Sequence, residues 1–364
     1  MNARSGATAG GRSSLERGAS ALEYVGLIVL AAMVVTGVFV AVSDSQVSQR
    51  VEAAVCTIVT AGQGECASGF GGDTRTPLER ATAGRYVALG DSYSSGEGAG
   101  DYDSDTDYDH GDDWDWDNWG DDERNRCHRS DNAYSRIIAR DNDFAGGSES
   151  VACSGAEQPD VEEPNGSNDH EPAQTDALDE DTSLVTMSIG GNDIGFADVV
   201  KDCIVNGERG VPFADSCQEK HDKRLQKDLP ALKKKLVEQY RDIRKKAPNA
   251  RIVIVGYPQL FEENPSDNYK NLLFKEDQEW MNGKATELNS VIREAAKEAG
   301  VEFVDPTEAF KGHGIGSDDP WINDLNFGGP GLSVTDPGSF HPNAAGHAAE
   351  ADLIQQQLED PVYP

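Results

Sequence analysis

Positive charge is scarce in this chain. Its 364 residues hold 32 Lys and Arg against 65 Asp and Glu, a formal net charge of −33. Phosphate affinity comes mainly from clustered Lys and Arg, so the composition argues against general nucleic-acid binding and against charge-driven adsorption to anionic lipid. Apolar residues make up only 37%, although a chain of this length still buries a core. Neither a heptad nor a Gly-X-Y period runs through it, which excludes coiled-coil and collagen architectures. There is no CxxC pair among the six cysteines, which speaks against a zinc site. The acidic stretch 101–123 holds eleven Asp, one Glu and three Trp, but no register in it supplies both the Gly at position six and the Glu at position twelve of a calcium loop. It reads as a solvated, self-repelling surface insertion.

Residues 25–42, VGLIVLAAMVVTGVFVAV, carry no charge. As a helix they span roughly 27 Å at 1.5 Å per residue, close to the thickness of a bilayer core. Arg4, Arg12 and Arg17 precede them with only Glu16 opposing, so the positive-inside rule keeps the N-terminus cytoplasmic and exports the rest. Three readings share that outcome: a Sec signal cut near Ala41 or Ser43, an uncleaved anchor, and a prepilin-type signal. For the last, RGASALEYVGLIVL resembles the processing site of Flp-type pilins. That resemblance implies cleavage after Gly18, with Glu23 at mature position five, and pilin-like assembly as a partner interaction. A carboxylate at the head of a spanning helix is costly unless paired, and pilin packing is implied to pair Glu23. The expected organisation is a basic leader 1–18, a transmembrane helix 19–44, a Gly/Ala/Ser/Thr-rich stalk 45–84 and a globular domain 85–364.

An even cysteine count in an exported chain implies disulfides, although six cysteines allow 15 pairings. Proximity in sequence suggests Cys56–Cys66, Cys127–Cys153 and Cys203–Cys217.

From Arg85 the pattern alternates. RYVALG (85–90), SESVACSG (148–155), TSLVTMSIGG (182–191), ARIVIVGYP (250–258) and VEFVDP (301–306) read as buried strands. Helical spacing marks a segment starting near Asp228 and Pro230, a second over 275–299 ending at Gly300, and a third from Pro342 to Leu358. Strands alternating with helices predict an α/β fold, a parallel sheet covered on both faces.

Three blocks carry chemistry. The first strand runs into Gly90-Asp91-Ser92-Tyr93-Ser94-Ser95-Gly96-Glu97-Gly98, where a Ser just past a parallel strand sits at the ligand-binding edge of such sheets. Gly190-Gly191-Asn192-Asp193 follows the third strand, and an Asn amide there is a neutral donor suited to an oxyanion. Ser339-Phe340-His341-Pro342-Asn343 precedes the last helix, with His341 placed as a general base. Each block alone is compatible with an ordinary turn or a surface His. In this order, and joined by Cys153-Ser154-Gly155-Ala156, they resemble the SGNH hydrolases, also called GDSL esterases and lipases, over roughly residues 85–358. GHGIGSDDPWIN (312–323) and the flanking cysteines are similar to the secreted bacterial lipase branch.

The resemblance implies a three-layer α/β/α, flavodoxin-like fold with five parallel strands in the order 2-1-3-4-5. It implies Ser92 as nucleophile, His341 as base, and an oxyanion hole of the Ser92 and Gly155 N–H groups with the Asn192 side chain. No metal or cofactor is called for. Most members carry an Asp three residues before the His, where this chain has Gly338. The Gly338 carbonyl is then the expected orienter of His341, and Asp336 the less favoured one. The expected activity is an exported, envelope-tethered serine esterase or lipase acting on lipid esters or on acylated small molecules. The rivals are a pilus-associated interaction module on the same scaffold and an acetyl esterase of cell-surface polysaccharide.

Overall fold

The computed structural model describes residues 74–107, 125–166, 168, 171–205, 217–265, 268–269, 273–326 and 336–364. The expected leader, transmembrane helix and most of the stalk lie outside these residues, as do Gly18, Glu23, the Cys56–Cys66 pair and most of the acidic insertion 101–123. Among the described residues no helix is long and apolar enough to cross a membrane.

The compact unit spans Arg75–Pro364. Its first element is helix α1 (Pro77–Ala81), which starts in a capping box: the Thr76 hydroxyl accepts from Glu79 N–H and the Glu79 carboxylate accepts from Thr76 N–H. Then come β1 (Arg85–Gly90), the short helix α2 (Ser92–Ser95), α3 (Tyr134–Asp141), β2 (Ser148–Ser150), α4 (Gln158–Glu162), β3 (Thr182–Ser188) and α5 (Phe196–Val205). The chain continues through α6 (Cys217–Lys246), β4 (Arg251–Val255), a ribbon of β5 (Asn268–Tyr269) and β6 (Leu273–Phe274), α7 (Lys275–Ala299), β7 (Glu302–Val304) and α8 (Ala344–Glu359).

The main sheet is wholly parallel, in the order β2-β1-β3-β4-β7. The expected order 2-1-3-4-5 counted five strands. The chain also forms the antiparallel ribbon β5–β6 outside the sheet, so the last sheet strand is the seventh in the chain. Alternation along the strands assigns the two faces. Val87, Leu89, Val185, Met187, Ile252 and Ile254 pack under α6 and α7, against Leu225, Leu236, Tyr240, Leu288 and Ile292. Tyr86, Ala88, Leu184, Val253 and Val255 pack on the other side against Tyr134, Ile138, Ile354 and Leu358 of α3 and α8. The three layers follow from a period of two along each strand that is apolar on both phases.

One detail departs from expectation. Helix α6 starts at Cys217, not near Asp228, and carries Pro230 in its interior. The missing N–H costs one helical bond, but Leu225 and Leu229 ahead of the proline are buried in the core and hold the earlier turns. Of the expected disulfides, Cys127–Cys153 is formed. Cys203 is also disulfide-bonded, and the side chain of its expected partner, Cys217, lies outside the described ones.

A buried ion pair closes the end of the sheet remote from the chemistry. The Arg251 guanidinium donates to both carboxylate oxygens of Glu302 at 2.8 and 2.6 Å, and to the carbonyls of Pro77, Leu358 and Gln357. It therefore joins β4, β7, α1 and the end of α8. Arg251→Met leaves Glu302 buried without its cation, and urea unfolding is expected to show a loss of about 3 kcal/mol.

Candidate active site

The turn after β1 needs a glycine. Gly90 has φ of 123°, and a Cβ there would lie 2.3 Å from the Ser188 carbonyl oxygen and 2.5 Å from Ser94 Oγ. The Gln174 side chain clamps the Gly90 peptide, accepting from its N–H at 2.7 Å and donating to its carbonyl at 2.9 Å. Asp91 then caps α2, its Oδ1 accepting from Tyr93 N–H at 3.0 Å. Ser92 thus becomes the first residue of a helical turn, where backbone N–H groups have no intrahelical acceptor.

The His341 ring lies against this turn, with Nε2 2.8 Å from Ser92 Oγ across a sequence gap of 249 residues. Its Nδ1 is 3.1 Å from the Ser339 carbonyl oxygen. A carbonyl only accepts, so Nδ1 carries the proton and Nε2 is left as acceptor for the serine hydroxyl. The expected orienter is thereby corrected. The Gly338 carbonyl accepts instead from His341 N–H at 3.3 Å and from Asn323 Nδ2 at 3.2 Å. Asp336 is turned to the Gly338 N–H at 2.8 Å. The cause is backbone geometry. Phe340 adopts φ of 65°, a left-handed conformation that a bulky residue holds only under restraint. The restraints are Phe340 N–H to the Asn323 carbonyl at 3.1 Å and Tyr93 Oη–H to the Phe340 carbonyl at 2.9 Å. The turn presents the carbonyl two residues before His341, not three. Burial pushes the His341 ring down from the usual imidazole range, and the Glu97 charge and the Ser339 carbonyl only partly offset it. At neutral pH the ring is a free base.

The other two blocks meet at the same edge. The Cys127–Cys153 disulfide leads into a turn closed by Ser154 N–H to the Cys127 carbonyl and Ala156 N–H to the Cys153 carbonyl, each at 3.1 Å. Gly155, at φ of 78°, sits exposed at its tip. The Asn192 amide donates to the Ala156 carbonyl at 2.9 Å with one of its two N–H groups. Neither the Ser92 nor the Gly155 N–H donates to an acceptor among the described residues. Tyr257, at the end of ARIVIVGYP and without a role in the sequence pattern, ties these blocks together. Its hydroxyl donates to Asp91 Oδ2 at 2.5 Å and accepts from Gly191 N–H at 3.0 Å. Asn323 plays the same part for the histidine loop, donating to the Gly98 carbonyl at 2.7 Å. In the sequence Asn323 is marked only as the last residue of GHGIGSDDPWIN. Among the described residues no group of three or more His, Cys, Asp and Glu is arranged to hold a metal ion.

Residues 88–349 match the model of the GDSL-like lipase/acylhydrolase family. The chain is 33% identical over 284 residues to Lipase 1 of Streptomyces coelicolor, covering 76% of this chain and 88% of that protein. It is 32% identical over 286 residues to a lipase of Streptomyces rimosus, covering 77% and 88%. Among solved structures it is similar to phospholipase A1 of Streptomyces albidoflavus, with a TM-score of 0.58 and 34% identity over 75% of this chain and 99% of that one. An extracellular lipase of Streptomyces rimosus matches with the same TM-score, 30% identity and the same coverage.

Burial raises the Asp91 carboxyl to about 7, with the Tyr257 and Tyr93 hydrogen bonds opposing and the Asp193 charge adding. Because the folded value lies above the unfolded one, this group's stabilising contribution is complete below pH ~4 and is lost as pH rises through about 7. Asp91→Asn keeps the cap acceptor and removes the titration. Unfolding at pH 4 and at pH 8 should show wild type losing about 4 kcal/mol more than the variant over that interval.

Proposed function

Since the chain belongs to the GDSL-like lipase/acylhydrolase family and is an ester hydrolase, we propose that Ser92 and His341 carry its chemistry as a dyad on fatty-acyl esters. The observation that supports this most is the 2.8 Å contact between Ser92 Oγ and His341 Nε2. In this reading Ser92 Oγ attacks the acyl carbon while its proton passes to Nε2. The charge developing on the carbonyl oxygen is met by the Ser92 and Gly155 N–H groups and by the second N–H of Asn192. His341 returns the proton to the departing alcohol, leaving an acyl ester on Ser92. A water then attacks that ester, again with Nε2 as base; the bond between Ser92 Oγ and the acyl carbon breaks, Nε2 returns the proton to Oγ, and the free acid leaves. The Ser339 carbonyl holds the ring in its productive tautomer throughout.

Lipid esters, glycerophospholipids among them, are the proposed substrates. Two supports are the activities named for the similar proteins, lipase and phospholipase A1. We also propose that the domain works outside the cell, held at the envelope through residues 25–42. The uncharged run itself and the Cys127–Cys153 bond support this.

Ser92→Ala should lower hydrolysis of a short p-nitrophenyl ester at least about 10,000-fold and abolish phosphonate labelling. Retained hydrolysis refutes the dyad. In wild type kcat/KM should rise with pH through an inflection below the usual histidine range and be lost under more acidic conditions, as the depressed His341 ring requires. Asp336→Ala removes only a turn bond, so its kcat should fall less than about tenfold; a loss beyond about a hundredfold with the fold intact would restore the carboxylate to the mechanism.

A further inference from the structure

A neutral carbonyl behind a catalytic imidazole leaves the imidazolium facing dipoles alone, unless a charge stands nearby. One does. Glu97, five residues beyond the nucleophile, is 2% exposed, and its backbone N–H returns to the Ser92 carbonyl at 3.1 Å. Its Oε2 is hydrogen-bonded by His128 Nδ1 at 2.8 Å and by the Ser154 hydroxyl. Ser154 immediately precedes Gly155. The next residue, Gly98, lies against the histidine loop so closely that a Cβ there would stand 2.9 Å from His341 Cβ. The Glu97 carboxylate therefore touches the Gly155 turn, its backbone belongs to the nucleophile turn, and the residue after it packs on the base.

Resting on the proposed dyad, we propose that Glu97 is a positioning residue for both halves of the site: it fixes the Gly155 turn through Ser154 and sets a buried negative charge toward the imidazolium that forms at His341.

The surroundings support a charged Glu97. Burial raises its carboxyl, but the His128 hydrogen bond, the His341 and His128 charges and the Ser154 hydroxyl outweigh that and leave it below its usual range. Burial lowers His128, and the Glu97 bond and charge with Asp107 more than reverse it. The groups acting on this cluster are Asp107, 3.9 Å from His128 Nε2, Arg126, whose charge opposes that of His128, Tyr102, tilted against the His128 ring with centroids 5.2 Å apart and itself under the Asp336 charge, and His347, which acts on His341. Of these, Glu97 opposes the burial of the His341 ring, and His347 adds to it.

The test compares wild type, Glu97→Gln and Ser154→Ala by kcat, KM and the pH dependence of kcat/KM, with active sites titrated by a fluorophosphonate so that misfolded enzyme is not counted. Glu97→Gln keeps the shape and removes the charge. Its kcat should fall roughly tenfold with KM changed less than about twofold, and its acidic limb should move about half a unit to lower pH. Ser154→Ala should lower kcat by roughly three- to tenfold and leave the limb where it is. A Glu97→Gln enzyme with wild-type kcat and an unmoved or raised limb overturns the inference. If that variant does not fold, wild-type kcat in Ser154→Ala does so. Retained hydrolysis in Ser92→Ala would instead remove the dyad beneath it, so the two failures are distinguishable.

Discussion

The site depends on one backbone carbonyl. Ser339 O lies 3.1 Å from His341 Nδ1 and leaves Nε2 unprotonated, 2.8 Å from Ser92 Oγ. A carboxylate in that position would bring its own charge and its own desolvation cost. A carbonyl brings neither, so the tautomer is set without an ion bonded to Nδ1. The cost appears as backbone strain at Phe340, whose φ of 65° is held by Asn323 and Tyr93. Asn323 follows β7 and Tyr93 lies in α2. The His341 ring is therefore aligned by the same contacts that join the chain's distant segments.

The remaining blocks are linked by single side chains of similar reach. Tyr257 joins Asp91 to Gly191, Gln174 grips the Gly90 peptide, and Glu97 joins the nucleophile turn to Ser154. The Cys127–Cys153 bond closes the Gly155 turn from below. Most of these links are buried and polar, and each satisfies groups that would be expensive to leave unpaired. A site assembled from four loops is thus cross-linked by buried hydrogen bonds and one disulfide.

The fold was legible because its strands obey a rule visible in one dimension. RYVALG and ARIVIV are apolar on both phases, which only a sheet covered on two sides accepts. The blocks at the strand ends were legible because glycines mark them. Gly90 has to adopt φ of 123° against Ser188, and no other residue type does so without strain. Where a phenylalanine takes the left-handed conformation, no such mark exists. The reading therefore chose the Gly338 carbonyl over the Ser339 carbonyl. Tyr257 and Glu97 were quoted within their motifs without a role, since what they reach is set by tertiary packing. Pro230 predicts a helix start because proline favours that position, whereas Leu225 and Leu229 carry α6 through it. The ribbon β5–β6, two residues to a strand, is too short to show a period.

The most direct test is a crystal structure of the full chain after reaction with an alkylphosphonate ester. The account predicts phosphorus bonded to Ser92 Oγ, a phosphoryl oxygen within hydrogen-bond reach of Ser92 N–H, Gly155 N–H and Asn192 Nδ2, and His341 Nδ1 still on the Ser339 carbonyl. Phosphorus on another residue, or a histidine whose Nδ1 has turned to the Asp336 carboxylate, would contradict it.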